Sequence, residues 1–169
     1  IHGWGGDIDF WSRQLPVFEK NYRVIALDLP GFGKSAKPHD ITYDLALFAK
    51  AVKAVIDDAQ AASPVLIGHS MGYAIVLRFL SDYPGVARAI VDVDGSYFRL
   101  PDTEKGREAF QRSMSSFAST FAEGPGQRDS LLQFIESTFY GKTPDDVRRF
   151  VLGKFGALDG YVIANSMME

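Results

Sequence analysis

Gly68, Ser70 and Gly72 stand two residues apart in Gly68-His69-Ser70-Met71-Gly72, directly after the apolar run Val65-Leu66-Ile67. Beyond them, Tyr73-Ala74-Ile75-Val76-Leu77-Arg78-Phe79-Leu80 carries a helical rather than an alternating apolar period. The pattern predicts a buried strand, a very sharp corner and a helix, with the two glycines clearing space where strand and helix would otherwise collide. Ser70 then occupies the tip of the corner, strained and exposed. A hydroxyl held in that way is suited to nucleophilic attack, provided that a base takes its proton.

Other chemistries are limited by what the chain contains. Its 169 residues include no cysteine, which removes disulfides, thiolate nucleophiles and Cys-based zinc sites, and only three histidines, His2, His39 and His69. No metal or cofactor is expected. Pro30-Gly31-Phe32-Gly33-Lys34-Ser35 has a superficial likeness to a phosphate loop, but that loop needs four residues between its two glycines, ahead of Lys-Ser, and here there is one. A net charge of −3 offers no basic footprint for nucleic acid. No run approaches the eighteen or so apolar residues of a membrane span, so no membrane partner is expected, and the compartment is read as cytoplasmic. With 46% hydrophobic and 23% charged residues, the chain has the composition of an ordinary soluble domain, one domain or one with an appendage.

The elements needed to position Ser70 can be traced in order. Ile1-His2-Gly3-Trp4-Gly5-Gly6 is a loop with three glycines, in which backbone can come close to a ligand. Phe10, Trp11, Leu15 and Phe18 fall at roughly helical spacing behind Asp7 or Asp9, which predicts a surface helix over 9–20. Arg23 to Leu29 is nearly all apolar, as in a parallel strand covered on both faces, and it ends in the Gly-rich turn at Pro30–Ser35. A helix over 43–60, capped by Thr42 or Asp44, leads to the strand at 64–68; the helix after Ser70 runs to about Tyr83, where Pro84-Gly85 stops it. Ala87 to Val93 reads as another short buried strand. The alternation of helices and strands predicts a parallel sheet with helices on both faces over residues 1–96. Residues 97–169 change character: amphipathic stretches at 103–122 and 128–140, a third helix opened by Thr143-Pro144-Asp145-Asp146, and a fourth from Asp159, with no strand between them. They are expected to form a helical cap.

Three motifs, His2-Gly3-Trp4, Asp28 to Ser35, and Gly68-His69-Ser70-Met71-Gly72, stand in the order and context of the α/β-hydrolase superfamily. The chain resembles in particular its small serine esterases and cofactor-free haloperoxidase-like (perhydrolase) members. The resemblance covers residues 1 to about 95 well, and beyond that only the idea of a helical cap is shared. It implies that Ser70 is the nucleophile and that the backbone N–H groups of Met71 and Trp4 form the oxyanion hole; otherwise Trp4 is an aromatic packed under a loop. A serine rather than a carboxylate at the corner disfavours an alkyl-enzyme intermediate and points to esters, lactones, thioesters or C–C bonds beside a carbonyl. By resemblance Asp28 orders the Gly-rich loop, and Asp94 is either the triad carboxylate or, like Asp92, a turn cap beside Gly95.

No histidine fits the general base. His2 is expected to bond backbone, His69 to point away from Ser70 because strand side chains alternate, and His39 to lie in a loop. The expectation is therefore an internal segment of a longer hydrolase, lacking the first strands and the C-terminal strands, with negligible turnover of its own. Its partner would be a small apolar ester-like molecule. The rival expectation is a hydrolase-like small-molecule receptor or inactive binding module. The aromatic residues Phe110, Phe117, Phe121, Phe134, Phe139 and Tyr140 could line a greasy acyl site or simply pack the cap.

Overall fold

The computed structural model describes residues 1–95 and 101–166, and the chain forms two compact units, Ile1–Tyr97 and Phe98–Glu169. In the first unit a 3-10 turn (Ile8–Trp11) and a single-turn helix α1 (Leu15–Phe18) are followed by α2 (Leu45–Asp58), β1 (Val65–His69), α3 (Met71–Asp82) and β2 (Ala89–Val93). β1 and β2 are parallel, in a register running from Val65 opposite Ala89 to His69 opposite Val93. The ladder continues past both ends: Arg88 N–H donates to Pro64 O at 3.0 Å, and Ser70 N–H donates to Val93 O at 3.1 Å. On the other edge of β1, Ile1 N donates to Ile67 O at 2.7 Å, and His69 N–H donates to Ile1 O at 3.1 Å. Ile1 thus forms one rung of a third position in the sheet.

Helix α2 starts where the Asp44 carboxylate accepts the Leu47 N–H at 2.6 Å, and it buries Phe48, Ala49, Val52 and Ile56 at the spacing of one helical face. Helix α3 buries Ile75, Val76 and Phe79 completely and packs on α2 and on both strands. It ends where Tyr83 N–H donates to Phe79 O at 2.8 Å, just before Pro84 and a Gly85 with φ +79°. Phe32 and Tyr43 complete the core against Phe48, with ring centroids 6.1 and 6.4 Å away. Each large apolar side chain removed from water is worth about 1.5–3 kcal/mol, whereas two strands alone are marginal. The packing of α2, α3 and the loops around them therefore carries the unit.

Three expectations change on contact with the structure. The stretch 9–20 is not one helix: the 3-10 turn capped by Asp7 and the short α1 share it, because Pro16 can open a helix but cannot continue one. Arg23 to Leu29 has no regular secondary structure and joins no ladder, and a strand is defined by its pairing. β2 is paired but exposed, with Val91 and Val93 at 42% and 37%; it contacts β1 along its edge and α3 more sparsely.

Two side chains fix the loops beside β1. Leu29 N–H donates to His2 Nε2 at 3.0 Å, so that nitrogen carries no proton, and Nδ1–H donates to Gly3 O at 2.8 Å. The ring is wholly buried, with Phe32 edge-on at 5.6 Å. Asp28 accepts from Ile8 N–H and from Lys34 N–H, both at 2.8 Å, while its carbonyl accepts the Ser35 hydroxyl at 2.7 Å. Gly33, at φ +51°, lies so close to the Asp28 carboxylate that no Cβ fits.

The second unit is helical among its described residues: α4 (Glu104–Ser119), α5 (Gln127–Thr138), α6 (Asp145–Gly156) and α7 (Gly160–Asn165). Thr103 and Asp159 cap α4 and α7. Pro144, not Thr143, is the residue before α6, and its lack of a side-chain donor or acceptor leaves that helix start to its first-turn acids Asp145 and Asp146. Gln127 Nε2 donates to Phe121 O at 2.7 Å and Gly160 O at 2.8 Å, tying three elements together. Phe117, Phe121 and Phe134 form a triangle with all centroids 5.3 Å apart, Phe121 being fully buried. Of the two readings of these aromatics, packing accounts for those three. No described helix is long and apolar enough to cross a membrane.

Burial holds the His2 imidazole down at about pKa 4 against an ordinary 6.5. Between those values the unfolded chain binds the proton and the folded one does not. Stability is therefore full above pH 6.5 and falls as pH drops towards 4, by about 3 kcal/mol for a shift of this size. Urea unfolding of wild type and His2→Gln at pH 7.5, 6, 5 and 4 checks this: the variant is expected to be less stable at pH 7.5 but to lose less on acidification, by the equivalent of one proton. Parallel pH slopes would contradict it.

Candidate active site

At the end of β1 the backbone turns into α3 through Ser70, whose φ of +52° and ψ of −120° lie where non-glycine residues are rarely found. Such a conformation costs on the order of 1–3 kcal/mol and persists only where its surroundings impose it. Here they do: Ser70 N–H is held by Val93 O and Ser70 O by Tyr73 N–H at 2.9 Å. The glycines explain why the corner can be so tight. A Cβ on Gly68 would lie 2.5 Å from Gly72 O, and a Cβ on Gly72 would lie 2.5 Å from Ile1 O and 2.7 Å from His2 O. Strand, helix and first loop meet backbone to backbone.

The Ser70 side chain does not cap its own helix, although serine is among the best capping residues, and the residue is half-buried rather than enclosed in the core. Gly3 leans on it: a Cβ there would be 3.0 Å from Ser70 Cβ and 3.1 Å from His69 Nδ1. Gly3 opens a turn closed by Gly6 N–H donating to Gly3 O at 3.1 Å, with Trp4 and a Gly5 at φ +70° in its middle. The structure therefore brings the Gly3–Gly6 turn against the Ser70 corner, with Trp4 next to the touching residue and Met71 as the first residue of α3. Both are half-buried.

The histidines are differently placed. Both ring nitrogens of His2 are engaged, one as acceptor and one as donor, so it has none to offer Ser70. His69 turns its ring edge-on to Trp11 at 6.4 Å, with Nδ1 against Gly3. Burial lowers its pKa and the nearby Asp94 carboxylate pulls it back up. His39 is exposed in the loop after the Gly-rich turn. The turn cap after β2 is Asp92, whose Oδ1 accepts Gly95 N–H at 2.7 Å. Asp94 is exposed and holds φ +51°; the sequence signal for that is an Asp before Gly at a strand end, since Asp tolerates the left-handed region better than most residues. Among the described residues no group of three His, Asp or Glu could hold a metal ion.

The close approach at the corner has a direct consequence. Gly68→Ala puts a methyl group into a backbone carbonyl that cannot rotate away, and is expected to cost about 3 kcal/mol or more in denaturant unfolding. Gly153→Ala, in an α6 position with nothing within 4 Å of the new Cβ, is expected to stabilise by roughly 0.5–1 kcal/mol. Equal effects of the two substitutions would contradict the crowding at the corner.

A family model described as the alpha/beta hydrolase fold matches residues 1–161. Among curated proteins, the chain is 30% identical over 121 residues to a probable lysophospholipase, BODYGUARD 1 of Arabidopsis thaliana, covering 68% of this chain and 26% of that protein. Among solved structures it superposes on the esterase EaEST of Exiguobacterium antarcticum with a TM-score of 0.79 and 19% identity, covering 99% of this chain and 63% of that one. A bromoperoxidase from Bacillus anthracis gives 0.79 and 23%, covering 98% and 62%. The chain thus spans about a quarter of that curated relative and about three fifths of these solved chains. With the family model matching nearly end to end around a Ser70 corner of this geometry, the chain belongs to the α/β-hydrolase fold family.

Proposed function

We propose that Ser70 is the nucleophile of a serine hydrolase that cleaves a carboxylic ester or related carbonyl substrate through an acyl-serine intermediate. The observation that carries this is the strained serine itself: a positive φ at the tip of a strand-to-helix corner, with a hydroxyl not spent on capping. In this reading Ser70 Oγ attacks the carbonyl carbon. The developing oxyanion takes hydrogen bonds from the N–H of Met71, at the positive end of α3, and from the N–H of Trp4, each worth about 3 kcal/mol of barrier. Collapse expels the alcohol, and water then releases the acid. The relatives named as a lysophospholipase and an esterase support an ester substrate. The helical unit is read as the cap of such an enzyme.

The base is the missing part. His2 has no free nitrogen and His69 faces Gly3 and Trp11, so in this reading the imidazole comes from outside the three histidines of this sequence, and the 169 residues alone turn over negligibly. That same observation favours a second reading, a hydrolase-like receptor that binds a small apolar molecule without cleaving it.

A fluorophosphonate probe separates these possibilities. Labelling is expected to be slow with the chain alone, several-fold faster when free imidazole is added as a surrogate base, and absent in Ser70→Ala. Rapid stoichiometric labelling without imidazole would show that a base is already in place and overturn the inactivity. Failure to label Ser70 even with imidazole, in a folded protein, would reject the nucleophile and leave the receptor.

A further inference from the structure

Gly3 O and Trp4 N–H belong to one peptide unit, and among the described residues no peptide bond is cis. The unit is planar and trans, so the N–H points away from the carbonyl, and whatever aims the carbonyl aims the N–H in the opposite direction. Gly3 O is held twice: it accepts His2 Nδ1–H at 2.8 Å and Gly6 N–H at 3.1 Å. Those two bonds fix the direction of the Trp4 N–H. They do not fix how far the turn stands from Ser70.

That distance is set by what Gly3 rests on. A Cβ on Gly3 would lie 3.1 Å from His69 Nδ1, 3.2 Å from His69 O and 3.0 Å from Ser70 Cβ, so the glycine sits against both the ring and the carbonyl of His69. The carbonyl cannot yield, because it shares a peptide unit with the Ser70 N–H that Val93 O holds at 3.1 Å. The ring is itself packed: it meets Trp11 edge-on at 6.4 Å and 86°, within the ordinary range of an aromatic pair. Trp11 in turn closes a 3-10 turn that is tied at its start, where Asp7 accepts Asp9 N–H at 3.0 Å and Asp28 accepts Ile8 N–H at 2.8 Å. The half-buried imidazole therefore touches the turn that carries Trp4 and a tied indole at once.

We infer that His69 is a positioning residue, the spacer whose ring sets how far the Trp4 N–H stands from Ser70 Oγ. The inference rests on the proposed reading of Ser70 as nucleophile and Trp4 as oxyanion donor. A donor contributes only when it reaches about 2.7–3.1 Å from the oxyanion, so a small change in the stand-off of the turn removes much of its effect. Without the ring Gly3 loses one of its supports, while His2 still aims the peptide. Two histidines thus divide the work on one N–H: His2 sets its direction and His69 its distance. Burial lowers the pKa of the His69 ring, so at pH 7.5 it is neutral and acts by its shape, and a phenyl ring can replace it. It takes no proton from Ser70.

Two readouts at pH 7.5 test this. Fluorophosphonate labelling of Ser70 in the presence of imidazole reads the donor distance, and amide hydrogen exchange of Gly6, whose N–H closes the turn, reads the turn without any chemistry. In His69→Ala labelling is expected to slow by about tenfold or more and exchange at Gly6 to quicken, with the melting temperature showing a folded chain. In His69→Phe both are expected to stay within about twofold of wild type, because an aromatic ring of similar breadth remains. An alanine variant that labels as fast as wild type, or a phenylalanine variant as slow as the alanine one, would overturn the inference. So would labelling without imidazole that is rapid in wild type and lost in both variants, since His69 would then be the base. If wild type fails to label even with imidazole, the reading of Ser70 falls and exchange at Gly6 decides the spacer alone: it stands if only the alanine variant exchanges faster, and falls if the two variants behave alike.

Discussion

Between Gly68 and Gly72 there is no room for a methyl group, and between Gly72 and Ile1 there is none either. These backbone-to-backbone contacts set the position of everything around Ser70. They let strand β1 and helix α3 cross closely enough that the residue between them is driven to φ +52°. They also bring the loop that starts at Ile1 down onto the corner, where Gly3 meets the Ser70 side chain. A side chain at any of these glycines would push the loop, the helix or the serine away. A strain of on the order of 1–3 kcal/mol at one residue is small beside the burial of Ile75, Val76 and Phe79 in the helix that follows. The corner is affordable because α3 is anchored behind it.

The loop is held by polar groups rather than by apolar packing alone. His2 bridges the first turn to Leu29, and Asp28 bridges the segment at Ile8 to the Gly-rich turn at Lys34 and Ser35. A histidine used this way must be neutral, and the same desolvation that makes it a sound structural bridge removes it as a base. The first unit therefore combines a serine at a strained corner with an imidazole that is committed elsewhere. It is for this reason that the family, the strained serine and the absence of a fitting base can all hold for the same chain.

Much of this was legible in the sequence. Gly-x-Ser-x-Gly after three apolar residues is a local pattern, and the corner depends on local crowding, so Ser70, the strand before it and the helix after it fall where the pattern puts them. Asp44 was legible as one of two cap candidates for a similar reason, since a cap acts within three residues of itself, whereas Thr103 and Asp159 were legible only as the places where helical stretches begin. Pairing was not. Val24–Leu27 and Ala89–Val93 have equally strand-like compositions, but only the second has a partner beside it, and no spacing within a segment reveals its neighbour across a sheet. The break between Trp11 and Leu15 was missed because the apolar period continues through it while the backbone does not. Asp94 was visible as a residue, but its left-handed backbone and its proximity to His69 arise from the way β2 ends beside the corner.

The central claim is geometric: the Ser70 oxygen stands where two main-chain amides can reach what it attacks. It is tested most directly by a crystal structure of the chain bearing a phosphonate adduct on Ser70, in which the phosphoryl oxygen marks the place of the oxyanion. Expected are distances of about 2.7–3.1 Å from that oxygen to both Met71 N and Trp4 N. A phosphoryl oxygen turned to solvent, with both nitrogens beyond hydrogen-bonding distance, would contradict it.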